Sequence, residues 1–376
     1  MKKLPLDAFY LGTHVFSSRS KTKDFKYLID RTEARLKGWR SKCLSWVGRR
    51  TMINSVALSL PTYSFSTASV PTTMCNKLDS IIRRFWWNPK KEQGKFLAWK
   101  IGKHCVVLID SGGLGFRYSK QNNQALLTKF VWLILSKENS LCVNALRNKY
   151  KIGSDWMRRE ALKFASPLWK TIEGLRSLIS RGACYLIGDG VSVDFWKDPW
   201  IPWQEGFSPT PKDPSAILEN IKVADFILPS INSWNRVVLV EIVDAASLGV
   251  ILKVTIPIQP RLDKLIWTLE PLGNFSVKSV IKSNASPRVQ TPQDPEWHGL
   301  WKLKLHERLK IFLWRLGSNA LLTKVNLAHR IGIGDQKCPL CGEAEETYQH
   351  LFLQCSVVKP IWFGLVCVGA FVLSIF

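Results

Sequence analysis

Eighteen residues near the C-terminus constrain this chain more than any other feature. They run Cys338-Pro-Leu-Cys341-Gly, then His350 after seven further residues, then Cys355 after four more. A Cys-x2-Cys turn aims two thiolates at one point, and the glycine after it lets the chain bend back so that backbone N–H groups can bond to sulfur. The pattern predicts a helix over 343–355 that carries His350 and Cys355. Tyr348, Leu351 and Phe352 form the apolar stripe that would pack on the turn. Three sulfurs and one imidazole complete a tetrahedral shell with no open position, which is a structural and not a catalytic arrangement. Three core cysteines beside a surface histidine are the blander reading, and the ligand spacing argues against it. The expectation is one structural zinc ion on Cys338, Cys341, His350 and Cys355.

The rest of the chain is strongly basic. Lys and Arg number 53 against 29 Asp and Glu, a formal net charge of +24. Self-repulsion of that size calls for a polyanion, nucleic acid first and an acidic membrane surface second. The excess is local. Residues 1–182 hold 34 basic and 11 acidic residues, 183–300 hold 10 and 13, and 301–376 hold 9 and 5. The middle stretch also holds 12 of the 19 prolines, which resist helix interiors. A length of 376 residues gives a prior of two or three domains. The expected domains are a basic helical region at 1–182, a proline-rich strand and loop region at 183–296, and a small zinc-organised helical domain at 297–376. The expected fold class is mainly α with small β elements (α+β).

The 17 tryptophans suit bulky core packing or base stacking, and the ordinary burial of Trp favours the core for most of them. Nine cysteines, six of them scattered singly, argue for reduced thiols over a disulfide framework. The N-terminus shows no apolar signal region. Residues 361–376 are apolar throughout but fall short of the ~20 that span a bilayer, so no membrane partner is expected.

Periodicity places helices on Phe25, Leu28, Ile29, Thr32 and Leu36, on Leu78, Ile81, Ile82 and Phe85 with Arg83 and Arg84 turned outward, and on Leu168, Ile172, Leu175 and Ile179. The glycines at 112, 113 and 115 mark a turn needing positive φ, and no phosphate-loop lysine follows them. Gly188, Asp189 and Gly190 read as the turn of a hairpin between two alternating runs. Asn274 to Val280 reads as a strand or the entry to a helix. A further helix over 304–319 would bury Leu305, Leu309, Phe312 and Leu316. On it Lys304, Arg308 and Arg315 fall within about 40° of one another, a stripe that could follow phosphates or simply keep the helix solvated. No Asp-Asp pair occurs in the chain, so the paired carboxylates of a polymerase palm are missing, and no two-metal nuclease set assembles from the scattered acids. His104 beside Cys105 has no visible orienting partner for nucleophile chemistry. No catalytic residues and no small-molecule substrate are expected.

The order of several motifs carries a resemblance. Tyr10-Leu-Gly12 leads, then Leu36 with Trp39, LSWVGRRTMINSVALSLPTY, FWWN, SGGLGF and the Asn-x-x-Leu-Leu-x-Lys run at 123–129. IGDGVSVDFWKDPWIP, DKLIW, GNFSVKSV, IFLWRLGSNALLTKVNLAHRI and CPLCGEAEETYQHLFLQC follow. The chain resembles the region downstream of the palm in plant LINE-type (non-LTR) retroelement reverse transcriptases, ending in their zinc-binding domain, over about residues 8–362. The resemblance implies a thumb-like grip on a primer–template duplex near 10–87. It also implies a palm before Met1, an RNase H domain beyond Phe376 and nuclear residence. Leu322 stands where the family usually has Pro. Candidate nucleic-acid contacts are Arg31, Arg35, Arg40, Arg49, Arg50, Lys304, Arg308 and Arg315, with RNA or DNA as a largely sequence-independent partner. Two other readings stay open: a zinc-organised protein-interaction module, and a decayed frame with no cellular role.

Overall fold

Helix-capping chemistry explains where much of the chain turns helical. Ser45, Ser140, Ser166, Asn235, Asp244, Ser276 and Thr323 each accept a bond from the backbone N–H of the third residue of the helix they precede, which satisfies a donor the helix itself leaves open. The computed structural model describes residues 8–10, 13–14, 18, 20–40, 42–90, 96, 98–99, 113–153, 155–213, 220–228, 231–259, 261–284, 295–332 and 334–364. They form a mainly α structure whose sheets, among the described residues, are three two-stranded antiparallel pairs. No described helix is long and apolar enough to cross a membrane.

The chain divides into two units. The first comprises residues 1–64, 70–120 and 285–376. Its core is built on helices Lys26–Arg40, Trp46–Met52, Thr72–Trp87 and Glu307–Gly317. Trp86 sits within it, with the rings of Trp46, Phe116 and Trp314 edge-on at 4.9, 5.5 and 6.3 Å. Leu36, Ile53, Ile81, Phe85 and Ile311 close the cluster. Edge-to-face packing suits the ring quadrupoles and adds about 0.5–1.5 kcal/mol per pair to the burial itself.

Residues 65–69 and 121–284 make the second unit. One of its clusters gathers Leu127, Val131, Trp156, Trp169, Ile172 and Trp267; another gathers Phe195, Trp200, Phe226 and Trp234. Buried Asn123 donates to the carbonyls of Phe65 and Ala68, which ties the short 65–69 segment to this unit. Eight tryptophans are buried in the two units, and among the described ones only Trp203 is exposed. Core packing is therefore their main use.

Leu28, Thr32 and Leu36 are buried on one helix, as are Leu78, Ile81, Ile82 and Phe85 on another. Gly115 has a φ of +75°. Asn274–Val280 enters a helix, Val277–Ser283, capped by Ser276. Four local readings need correction. Ala183–Leu186 pairs with Lys264–Trp267, not with the residues after Gly190, because Asp263 holds the glycine loop and brings the distant strand with it. Arg83 and Arg84 are half-buried. The third correction is the Glu307–Gly317 helix, which buries Ile311, Trp314 and Leu316 and leaves Leu309 and Phe312 exposed. His306 caps that helix, so Lys304 and Leu305 precede it and the stripe of three cations does not exist. Last, the proline-rich middle holds helices Arg236–Ile242 and Ala245–Ile251 besides loops and strands. The His104–Cys105 pair and the stretch 365–376 lie outside the described residues.

Candidate metal centre

The four C-terminal ligand candidates converge. One donor atom from each of Cys338, Cys341, His350 and Cys355 lies within 4.8 Å of the others, and all but Cys341 are buried. Two local structures produce this. The first is a turn: Gly342 N–H donates to the Cys338 carbonyl at 2.9 Å and Cys338 N–H to the Ala344 carbonyl at 2.7 Å, with a bridge between Lys337 and Glu345 beneath it. Gly342 takes a φ of +73°, a left-handed conformation that costs glycine little. The second is a π turn over His350–Gln354, closed by Cys355 N–H on the His350 carbonyl at 2.7 Å. In an α-helix, residues five apart point about 140° away from each other. The i→i+5 turn brings His350 and Cys355 toward one side. The expected helix over 343–355 is thus shorter, beginning at Tyr348, and Thr347 caps it by accepting from His350 N–H at 3.0 Å. Thr347 escaped the sequence reading, although a threonine three residues before a buried helical position is a capping signal.

The donor set fits zinc. A tetrahedral site with Zn–S near 2.3 Å and Zn–N near 2.0 Å has an S···N edge of about 3.5 Å; Cys341 Sγ lies 3.3 Å from His350 Nε2. Backbone N–H groups of Ala344 and Glu343 pull the Cys341 thiol down to about 6, so it is ready to serve as thiolate. Burial pushes Cys355 the other way, against N–H groups of Val357 and Val358. Four protein donors leave no place for a substrate, so an ion held here would organise the fold.

The structure separates the eight candidate phosphate contacts. Arg31, Arg35, Lys304 and Arg308 are exposed, whereas Arg40 is buried. Arg49 and Arg315 lie over the Trp46 ring at 4.4 and 4.2 Å, and Arg49 also donates to the Trp86 carbonyl at 3.0 Å. Arg50 lies 4.5 Å over Trp301, donates to the Leu114 carbonyl and pairs with Glu307. Burial, with the Arg49 charge adding to it, brings Arg315 down to about 10, which leaves it protonated at neutral pH. These three arginines are thus partly desolvated and held against indole faces.

Comparison with known proteins adds three findings. A family described as zinc-binding in reverse transcriptase matches residues 275–362, a span that contains all four ligand candidates. An uncharacterized mitochondrial protein of Arabidopsis thaliana is 36% identical over 146 residues, 38% of this chain and 94% of that protein. A second Arabidopsis thaliana protein, provisionally named a ribonuclease H protein, is 29% identical over 373 residues, 94% of this chain. The chain spans 57% of the length of that relative.

Proposed function

We propose, from the premise that this chain belongs to the retroelement reverse-transcriptase-related family, that it is a non-catalytic nucleic-acid-binding segment of a LINE-type polyprotein. Zinc on Cys338, Cys341, His350 and Cys355 holds its C-terminal fold. The observation that carries the reading is charge: 34 basic against 11 acidic residues in 1–182, with Arg31 and Arg35 exposed one turn apart on the Lys26–Arg40 helix. Exposed Lys304 and Arg308 add to it. The absence of any Asp-Asp pair from the sequence supports the non-catalytic part, and primer extension on an RNA template is expected to give no product.

Counterion release makes phosphate binding steeply salt-dependent. Binding of RNA and DNA oligonucleotides, measured between 50 and 200 mM salt, should weaken by about 100-fold if roughly four phosphates are neutralised. Arg31→Ala and Arg35→Ala should each lower the salt slope by about 1. No binding at low salt refutes the reading.

Exposed Leu309 and Phe312, the latter 5.6 Å from the Phe352 ring, favour a second reading. Beside the zinc ligands they would make a protein-interaction face. A protein complex that persists at high salt and is lost in Leu309→Asp would support it.

A further inference from the structure

The second unit holds an aromatic side chain in water. Phe164 is fully exposed, and it does not hang on a loose segment. Two residues before it, Leu162 N–H donates to the Glu173 carboxylate at 3.0 Å. Two residues after it, the Ser166 hydroxyl meets the Tyr150 hydroxyl at 2.9 Å, and the Tyr150 ring stacks on buried Trp169. Arg176 grips the same loop from below through the carbonyls of Trp156 and Arg159. The backbone is thus fastened on both sides of Phe164, and its ring stands in solvent.

The surroundings are cationic. Residues 141–181 carry nine basic and three acidic side chains. Of the three acids, Asp155 and Glu160 are exposed, and Glu173 is buried and already bonded to Leu162 and Arg176. Lys163 adjoins Phe164 in sequence, and the Tyr150–Ser166 bond brings the exposed Lys149 and Lys151 to the segment that carries it. Arg159 is exposed on the same loop and donates to the Lys151 carbonyl at 3.4 Å. Among the described residues, Lys151 and Lys163 make no ion pair. A flat apolar face with Lys151 and Lys163 beside it suits an unpaired base on the ring, with phosphates of the same strand on the lysines. A duplex keeps its bases stacked on each other and offers no such face.

We propose that the surface around Phe164 is a single-strand contact site in which Phe164 stacks on an unpaired base while Lys149, Lys151, Arg159 and Lys163 hold the flanking phosphates. The proposal rests on the nucleic-acid reading above and deepens it by naming the strand state and the ring. None of these residues belongs to the contact set drawn from the sequence.

The test uses the full chain with a labelled 20-nucleotide oligouridylate and a 20-base-pair duplex as probes, followed by fluorescence anisotropy at one low salt concentration. Phe164→Ala should weaken oligouridylate binding by about 5- to 150-fold, the loss of one base–aromatic stack. Duplex affinity should stay within about twofold, and Phe164→Trp should keep wild-type affinity. Thermal unfolding of Phe164→Ala should match wild type, since the ring touches nothing it helps to bury. If the wild type binds both probes and Phe164→Ala binds oligouridylate unchanged, the proposal is overturned and the exposed ring is left to a protein partner. An equal loss on both probes also overturns it. A wild type that binds neither probe removes the underlying nucleic-acid reading, and this proposal with it.

Discussion

Two glycine-bearing loops face the same difficulty and meet it with different chemistry. Neither 187–195 nor 338–355 is built from long regular elements, so each has backbone groups without helix or sheet partners. In 187–195 the answer is internal. One Asp263 oxygen accepts from Gly188 and Gly190 N–H at 2.7 and 2.9 Å, and the other accepts from Ser192 N–H and hydroxyl at 3.0 and 2.7 Å. In 338–355 the backbone closes short turns on itself, and these turns aim three thiols and an imidazole at a common point. A carboxylate completes its loop with what the chain already owns. A Cys3His set completes its own only when an ion arrives. The first loop should therefore be unconditional and the second conditional on metal.

Chelation should separate the two most strongly. Structural zinc in comparable small modules binds with roughly 10–16 kcal/mol. Hydrogen exchange after chelation should show Cys338 and Gly342 amides losing protection while Gly188 and Ser192 keep theirs. Protected amides at both sites without metal would mean that the C-terminal turn holds itself.

The reciprocal change is smaller. Asp263→Ala removes a charged acceptor from four bonds and should cost about 2–4 kcal/mol in denaturant unfolding, since bonds to charged groups contribute about 1.5–3 kcal/mol each and do not simply add. Its zinc content should be unchanged. Gly188→Ala tests the same loop sterically, because a Cβ there would stand 2.1 Å from the Arg261 carbonyl oxygen. About 3 kcal/mol of destabilisation is expected from the backbone shift this forces.

Smallest of all is Thr347→Ala. Loss of the cap on the His350 helix should cost about 1 kcal/mol. The loss should appear as weaker zinc retention against a competing chelator, with the 187–195 loop untouched.

The same contrast explains what the sequence could disclose. The metal site is written in one stretch of 18 residues, so spacing alone located its four ligands. The Asp263 loop is not local: its key residue lies 71 to 75 positions from its partners, and Gly-Asp-Gly on its own reads as an ordinary hairpin turn. The Arg–Trp layers were hidden for the same reason. Nothing near Arg315 in sequence announces Trp46, nor Trp301 near Arg50. The buried face of Glu307–Gly317 was mis-phased because its apolar residues fall in more than one row. Leu309 and Phe312 compete with Ile311 and Trp314 for the core, and periodicity cannot rank two apolar rows. Helices whose apolar residues form one row, such as Thr72–Trp87, were legible along most of their length.

Zinc-edge X-ray absorption on the purified full chain, combined with total metal content, tests the central claim most directly. A closed structural shell predicts one zinc per chain with three sulfurs near 2.3 Å, one nitrogen near 2.0 Å and no water oxygen. A folded chain without zinc, or a shell containing an exchangeable oxygen, would contradict it.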